Sequence, residues 1–229
     1  DSTPYLKEWL GGRAMSNMLL FNDIDVAKVD PLSPENEMII STGCFSGTVF
    51  PSAGRTQAVF IAPHNLSGMG MSNCGGHFGP SLKYCGYDAL VITGKAPKPV
   101  YLYIEDDKIE FVDAGYLWGK GCIDTQADLL QKYGEEAKLL CIGQGGENLV
   151  TYACVRTELT NSMGRTGAGC VFGSKNLKAV VAKGTKPVKI FKQKEFFKTS
   201  KQLRDDLTNP NYGKIHSLTY KLISKHGIP

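Results

Sequence analysis

The sequence predicts an α+β fold built from two duplicated halves. Two observations carry this. Short apolar runs alternate with short helix candidates along most of the chain, and one loop–helix–strand unit occurs twice. The first copy opens with the Gly-rich stretch Ser72-Asn73-Cys74-Gly75-Gly76-His77-Phe78-Gly79-Pro80. Ser81 to Cys85 follows as a helix candidate, then the apolar run Ala89 to Ile92 and a stop at Thr93-Gly94-Lys95. The second copy runs from Gly164-Arg165-Thr166-Gly167-Ala168-Gly169 through a helix candidate to the apolar stretch Leu177 to Ala182. Both close on Lys-Pro-Val, at Lys98-Pro99-Val100 and Lys186-Pro187-Val188. Self-similarity of this kind marks a duplicated supersecondary unit.

The elements follow in order. Tyr5 to Phe21 carries Leu6, Trp9, Leu10, Met15, Met18, Leu19 and Leu20 at helical spacing, interrupted at Gly11-Gly12. Asp30 to Asn36 is a turn cluster. Met38 to Gly43 is a buried strand, and Arg55 to Ala62 alternates enough to be another. Val100 to Ile104 and Lys108 to Val112 flank Glu105-Asp106-Asp107 as a hairpin. Ile123 to Tyr133 is an amphipathic helix that Asp124 or Thr125 caps. Lys138 to Gly143 is a strand, Gly143 to Asn148 a loop and Val150 to Val155 a further strand. From Phe191 the text turns rich in Lys, Gln, Glu and Asp, with Phe196, Phe197, Leu203 and Leu207 on one helical face. Ile215 to Lys225 is a second helix candidate. Domain 1–190 and a following segment 191–229 are therefore expected. The ending at Pro229 lacks a domain cap and suggests a truncated or processed chain.

Composition bounds the function. The chain has 229 residues, 42% hydrophobic and 21% charged, as a folded domain requires. No apolar run approaches the roughly 20 residues of a membrane span. The start shows no leader with an apolar core, and no initiator Met, so it need not be the native start. A net charge of +4 from dispersed Lys and Arg gives no nucleic-acid footprint. The seven cysteines are odd in number and none has CxxC spacing. That argues against a disulfide framework, for free thiols in a reducing cytoplasm, and for each Cys as a small buried hydrophobe.

The chemistry-bearing stretches are the two Gly-rich loops. Glycines let backbone N–H groups approach a ligand, and the Asn73 amide both donates and accepts. Such loops suit a phosphate or a polar ring system, or they are turns whose glycines answer a steric need. Arg55, where its strand leaves a loop, is either a surface ion-pair partner or, if buried, a fork for a phosphate or ring edge. His77 serves as an acid/base group or as a structural hydrogen-bonding one, and no His has a carboxylate or serine at a recognisable spacing. Gly143-x-Gly-Gly lacks the dinucleotide-binding spacing, and no Walker A, HExxH or nucleophile-elbow motif is present.

Several ordered motifs nevertheless resemble one family. They are Trp9-Leu10-Gly11-Gly12-Arg13, Asp30-Pro31-Leu32-Ser33-Pro34-Glu35-Asn36, Gly54-Arg55, Ser72 to Gly79, Lys83-Tyr84-Cys85-Gly86-Tyr87-Asp88, Gly94-Lys95-Ala96, Gly146-Glu147-Asn148 and Gly173-Ser174-Lys175-Asn176-Leu177-Lys178-Ala179. In this order they resemble the N-terminal domain of the tungsten-containing aldehyde ferredoxin oxidoreductases. The resemblance implies two intertwined halves with two mixed β-sheets and short helices. It implies a floor under a tungsten or molybdenum ion held by two pterin dithiolenes rather than by side chains. Arg55 would lie between a pterin and a 4Fe-4S cluster bound mainly outside this chain. Asn73, Cys74 and Gly75 would contact one pterin or its phosphate, and Asn161, Ser162, Gly164 and Arg165 the other. A magnesium ion bridging the two phosphates would take oxygen ligands near Asn73 and Ser162.

Two departures stand out. Asn161, Ser162 and Met163 stand where the family often has Arg and two small residues, which removes a charge, and Cys74 replaces a more usual Ser. The family's cysteine cluster, its other pterin loops, its acid/base residues and its first strands are not in this sequence. By resemblance, the whole enzyme would oxidise aldehydes to carboxylic acids, pass electrons to ferredoxin, and form a homo-oligomer in the cytoplasm of an anaerobe. Two other readings compete: a non-catalytic scaffold, and a relative acting on another substrate such as an aromatic acyl-CoA.

Overall fold

A computed structural model describes residues 2–64, 68–209, 222, 223 and 225. Two short helices come first, α1 (Thr3–Trp9) and α2 (Gly12–Asp23), parted at the glycine pair. Strands β1 (Met38–Thr42), β2 (Thr56–Ile61) and β3 (Met69–Cys74), helix α3 (Phe78–Tyr84) and strand β4 (Ala89–Ile92) complete the first half. The hairpin β5 (Val100–Glu105) and β6 (Lys108–Asp113) follows. The second half is α4 (Cys122–Tyr133), β7 (Lys138–Cys141), α5 (Gln144–Glu147), β8 (Val155–Thr157), β9 (Asn161–Met163), α6 (Ala168–Ser174) and β10 (Leu177–Lys183). Helix α7 (Gln193–Thr208) comes last.

The duplication is explicit in the topology. The first sheet has the order β3-β2-β1-β4, antiparallel throughout. The second has the order β6-β5-β10-β7-β8-β9. Within it, β9-β8-β7-β10 repeats the first sheet strand for strand, again antiparallel, and the hairpin is added parallel to β10 through β5. Helices α2 and α4 precede corresponding strands, and α3 and α6 follow corresponding ones.

Both sheets are covered on both faces, so their central strands are apolar on both sides. Met38, Ile40, Ala58, Phe60, Leu140, Ile142, Val180 and Ala182 point into one core shared by the two sheets, with Phe78 and Leu82 of α3 and Val171 and Phe172 of α6. The alternate residues Ile39, Val59 and Ile61 pack under Leu20 of α2. Tyr101, Tyr103, Leu139, Cys141, Ala179 and Val181 pack under Leu129 of α4.

The halves interlock through polar contacts as well. Ser81 Oγ of α3 donates to the Ala182 carbonyl of β10 at 2.7 Å. Lys175 Nζ donates to the carbonyls of Pro34 and Gly94 at 3.3 and 3.0 Å, and Asn176 Nδ2 to that of Ala96 at 2.7 Å. Asn36 is wholly buried and stitches the turn before β1 to β2, accepting from the Ile61 N–H at 2.9 Å and donating to its carbonyl at 3.0 Å. Helices α5 and α6 touch backbone to backbone: a Cβ on Gly173 would lie 1.9 Å from the Gly146 carbonyl oxygen. Any side chain there forces the two apart.

The structure corrects several expectations. The first three residues of the stretch from Ser72 are strand, because Ser72, Asn73 and Cys74 pair with Ala58, Gln57 and Thr56 of β2. Neither Asp124 nor Thr125 caps α4; Gly121 is the N-cap and its carbonyl accepts the Thr125 N–H. Residues Gln144–Glu147 are a helical turn rather than loop, and the strand expected from Val150 begins at Val155. Cys44 and Cys154 are exposed rather than core residues. The second helix expected over Ile215–Lys225 lies almost wholly outside the described residues.

Among the described residues, those up to Gly47 with those from Gly54 to Val188 form one compact unit, and residues 48–53 with those from Lys189 onward form another. Within the second, the rings of Phe50 and Phe196 of α7 lie 6.2 Å apart.

The Lys178 and Glu147 side chains are 0% and 4% exposed and form an ion pair. Lys178 Nζ also donates to the Lys120 carbonyl at 2.8 Å, and Glu147 Oε2 accepts the Gly119 N–H at 2.8 Å. Removing one partner strands a buried charge. Lys178→Ala is therefore expected to cost about 3–5 kcal/mol of stability, whereas the double change Lys178→Met with Glu147→Leu recovers most of it. Chemical denaturation of the three proteins checks this; equal losses in single and double variants contradict it.

Candidate functional site

Strands β3 and β9 hold equivalent places at the outer edges of their sheets. Each is hydrogen-bonded on one side alone, β3 to β2 and β9 to β8. The pairs Thr56–Cys74 and Val155–Met163 set the correspondence. By that register Asn73 matches Ser162, and Gly75 matches Gly164. Cys74 and Met163 are both buried in the shared core. The strand ends therefore turn their central side chain inward and leave small polar neighbours and backbone outside.

The two edges meet at Gly75. A Cβ there would stand 3.2 Å from Asn161 Oδ1, a tight contact that a side chain would keep only if Asn161 shifted. Arg55, the residue before β2, is exposed, and its Nη1 donates to Asn73 Oδ1 at 3.0 Å. In the second half the position before β8 is Cys154, so the guanidinium has no twin.

Glu158, in the turn between β8 and β9, clasps the two halves. Its Oε1 accepts the His77 N–H at 2.9 Å and lies 2.7 Å from His77 Nδ1. Its Oε2 accepts from Asn161 Nδ2 at 3.3 Å. Gly76 has φ +95°, and a Cβ on it would lie 3.1 Å from the carboxylate. Partial burial pushes the Glu158 carboxyl up, but the hydrogen bonds from the His77 ring and amide, the nearby imidazole and Asn161 together hold it below its ordinary value. Glu158 itself has φ +54°, an unusual backbone for a glutamate.

The structure thus brings Arg55, Asn73, Gly75 and Asn161 together, with Ser162 and Gly164 on the matching edge. Cys74 stands apart. Its side chain is 1% exposed and burial pushes its thiol up to about 11, so it offers the site backbone rather than a thiol. Arg165 is exposed, and no hydrogen bond among the described residues ties its guanidinium to this cluster. Sequence reasoning missed Glu158. His77 does have a carboxylate partner, but 81 residues away, where no spacing rule looks. The donor set of amides, a hydroxyl, a guanidinium and edge-strand backbone suits phosphate oxygens and polar rings. Among the described residues no group of three or more His, Cys, Asp or Glu is placed to hold a metal ion directly.

Comparison with known proteins gives this architecture its family. The family described as "Aldehyde ferredoxin oxidoreductase, N-terminal domain" matches residues 2–184. The tungsten-containing aldehyde ferredoxin oxidoreductase of Pyrococcus furiosus is 41% identical over 232 residues, covering 97% of this chain and 38% of that protein. A namesake from Thermococcus kodakarensis is 38% identical over 231 residues, covering 97% of this chain and 38% of its own length. Among solved structures, the active site complex BamBC of benzoyl coenzyme A reductase with 1,5-dienoyl-CoA superposes with a TM-score of 0.87. It is 36% identical, and the match covers 90% of this chain and 31% of that one. The chain belongs to the aldehyde ferredoxin oxidoreductase N-terminal domain family. It spans about 38% of the length of the curated relatives named here.

The Glu158 clasp has a pH signature. A carboxyl whose folded pKa is depressed contributes stability above its unfolded value, here near 4.5, and loses it as pH falls through the folded value. Glu158→Gln is therefore expected to flatten the acid limb of stability below about pH 4.5. Thermal midpoints of both proteins across pH 3 to 6 check this, and parallel limbs contradict it.

Proposed function

We propose that this chain is one wall of the cofactor cradle in a tungsten or molybdenum bis-pterin oxidoreductase. The whole enzyme oxidises aldehydes to carboxylic acids and hands electrons through a 4Fe-4S cluster, bound mainly by other segments, to ferredoxin. In this reading residues 1–190 are the pterin-binding domain, and residues 191–229 begin the next segment. The enzyme works in the cytoplasm as a homo-oligomer. Among the described residues no helix is long and apolar enough to cross a membrane.

One observation carries the proposal: two edge strands related by duplication meet beside Arg55. Such a frame presents Asn73 and Gly75 on one side and Ser162 and Gly164 on the other, which suits a ligand with two like, phosphate-bearing ends. When bound, the metal would supply two-electron redox chemistry, and its pterins would hold it in place of side-chain ligands. The residues of this chain bind and orient. Gly75 and Gly164 admit the ligand close to backbone. Asn73 and Asn161 offer amides, and Ser162 an exposed hydroxyl. Arg55 supplies the positive charge at the first edge, and His77 and Asn161 occupy the Glu158 carboxylate that a phosphate would otherwise meet. Asn73 Oδ1 already accepts from Arg55, so a bridging magnesium would use another oxygen of this strand or displace that contact.

A second reading concerns substrate alone. The benzoyl coenzyme A reductase structure shares this fold at 36% identity. The same cradle would then serve ring reduction of an aromatic acyl-CoA, with substrate choice made by other segments.

In the full-length enzyme, Arg55→Ala is expected to lower metal and pterin content or slow electron transfer by about tenfold to a hundredfold, the worth of a charge-assisted hydrogen bond. Arg55→Lys restores charge without the fork and recovers only part. Unchanged metal content together with unchanged turnover in Arg55→Ala sinks the assignment of this residue.

A further inference from the structure

Cys122 and Cys141 face each other between α4 and the second sheet, on the face that the register Cys141–Arg156–Ser162 shares. Cys122 is the first residue of α4, and Cys141 is the last of β7. Both belong to the layer packed between that helix and the sheet. Each thiol reaches the other's backbone: Cys141 Sγ lies 3.7 Å from the Cys122 carbonyl oxygen, and Cys122 Sγ lies 4.0 Å from that of Cys141. Cys141 is buried, whereas Cys122 is partly open to solvent. Gly143 leaves room beside the outer sulfur, since a Cβ there would stand 3.3 Å from Cys122 Sγ.

The surroundings are those of a reactive thiol rather than a core filler. Wholly buried Lys178 adjoins the pair, and Arg156 is the cross-strand partner of Cys141. Glu147 is the nearby opposing charge, and it is already paired with Lys178. The amino end of α4 adds its own positive field.

We infer that Cys122 and Cys141 form a dithiol–disulfide couple, with Cys122 as the attacking thiol and Cys141 as the resolving one, oxidised by a small-molecule disulfide. A hydrogen bond from the Cys141 thiol, with support from Lys178 and Arg156, outweighs burial and lowers the Cys122 thiol to about 7. The same contact, with burial, raises Cys141 well above the usual thiol value. Cys122 thiolate attacks one sulfur of the oxidant, whose S–S bond breaks and releases one thiol. Cys141 then gives up its proton and attacks Cys122 Sγ, expelling the second thiol. Two electrons and two protons leave the pair, and the oxidant disulfide becomes two thiols.

The other cysteines supply internal controls. Cys44 and Cys154 are exposed single thiols. Burial raises Cys74, Cys85 and Cys170 and keeps them protonated.

The test uses the full-length protein purified without oxygen. It is treated with oxidised glutathione, quenched in acid, alkylated, digested without reductant and weighed by mass spectrometry. The expected product is a Cys122–Cys141 cross-linked peptide pair two hydrogens lighter than the reduced pair. In Cys141→Ser the reaction stops at a Cys122–glutathione mixed disulfide. Alkylated Cys122 and Cys141 in a sample where Cys44 or Cys154 carries glutathione overturn the inference. So does Cys122 linked stably to glutathione in the wild type.

Discussion

The close approach of β3 to β9 is the contact on which the rest of the structure depends. Gly75 sits where a Cβ would press on the Asn161 side chain, and Gly76, at φ +95°, where one would press on the Glu158 carboxylate. The shared core fixes the two sheets, and α2 and α4 cover their outer faces. That clamping gives each edge strand a fixed position even though each pairs on one side alone. Edge strands usually need a cover or a charge to avoid stray pairing. Here β9 is only three residues long, and Glu158 ties it to the end of β3 through His77 and Asn161.

Duplication explains the frame, and departures from it mark the chemistry. Asn73 and Gly75 have counterparts in Ser162 and Gly164, but Arg55 is matched by Cys154 and so stands alone. The second edge carries its exposed guanidinium one residue past Gly164, at Arg165, so the two halves place a cation at different positions. The core shows the same bias differently: Cys74 and Met163 fill equivalent inward places with side chains of different size.

The sequence displayed the fold far better than it displayed the site. The strands β1, β2, β4, β5, β7 and β10 are apolar runs, and the loop–helix–strand repeat announced both α3–β4 and α6–β10. Strands β3 and β9 were hidden because Gly70, Ser72, Asn73, Asn161 and Ser162 have low strand preference; they are strands because their partners hold them. Those same small polar residues are what a ligand-facing edge requires, so the site obscured its own secondary structure. Several motifs that carried the resemblance turn out to serve the frame. Asn36 stitches a turn, Lys175 and Asn176 tie the halves, and Glu147 balances Lys178. The pairing of His77 with Glu158 joins residues 81 apart, and only the tertiary fold brings them together.

The central claim is that two duplicated edges form one wall of a pterin-metal cradle. Its most direct test is the metal and pterin content of the full-length protein, purified without oxygen. The account predicts tungsten or molybdenum in stoichiometric amount with the chain, accompanied by two pterins for each metal. Protein that is folded and free of both metal and pterin contradicts it and leaves the scaffold reading in its place.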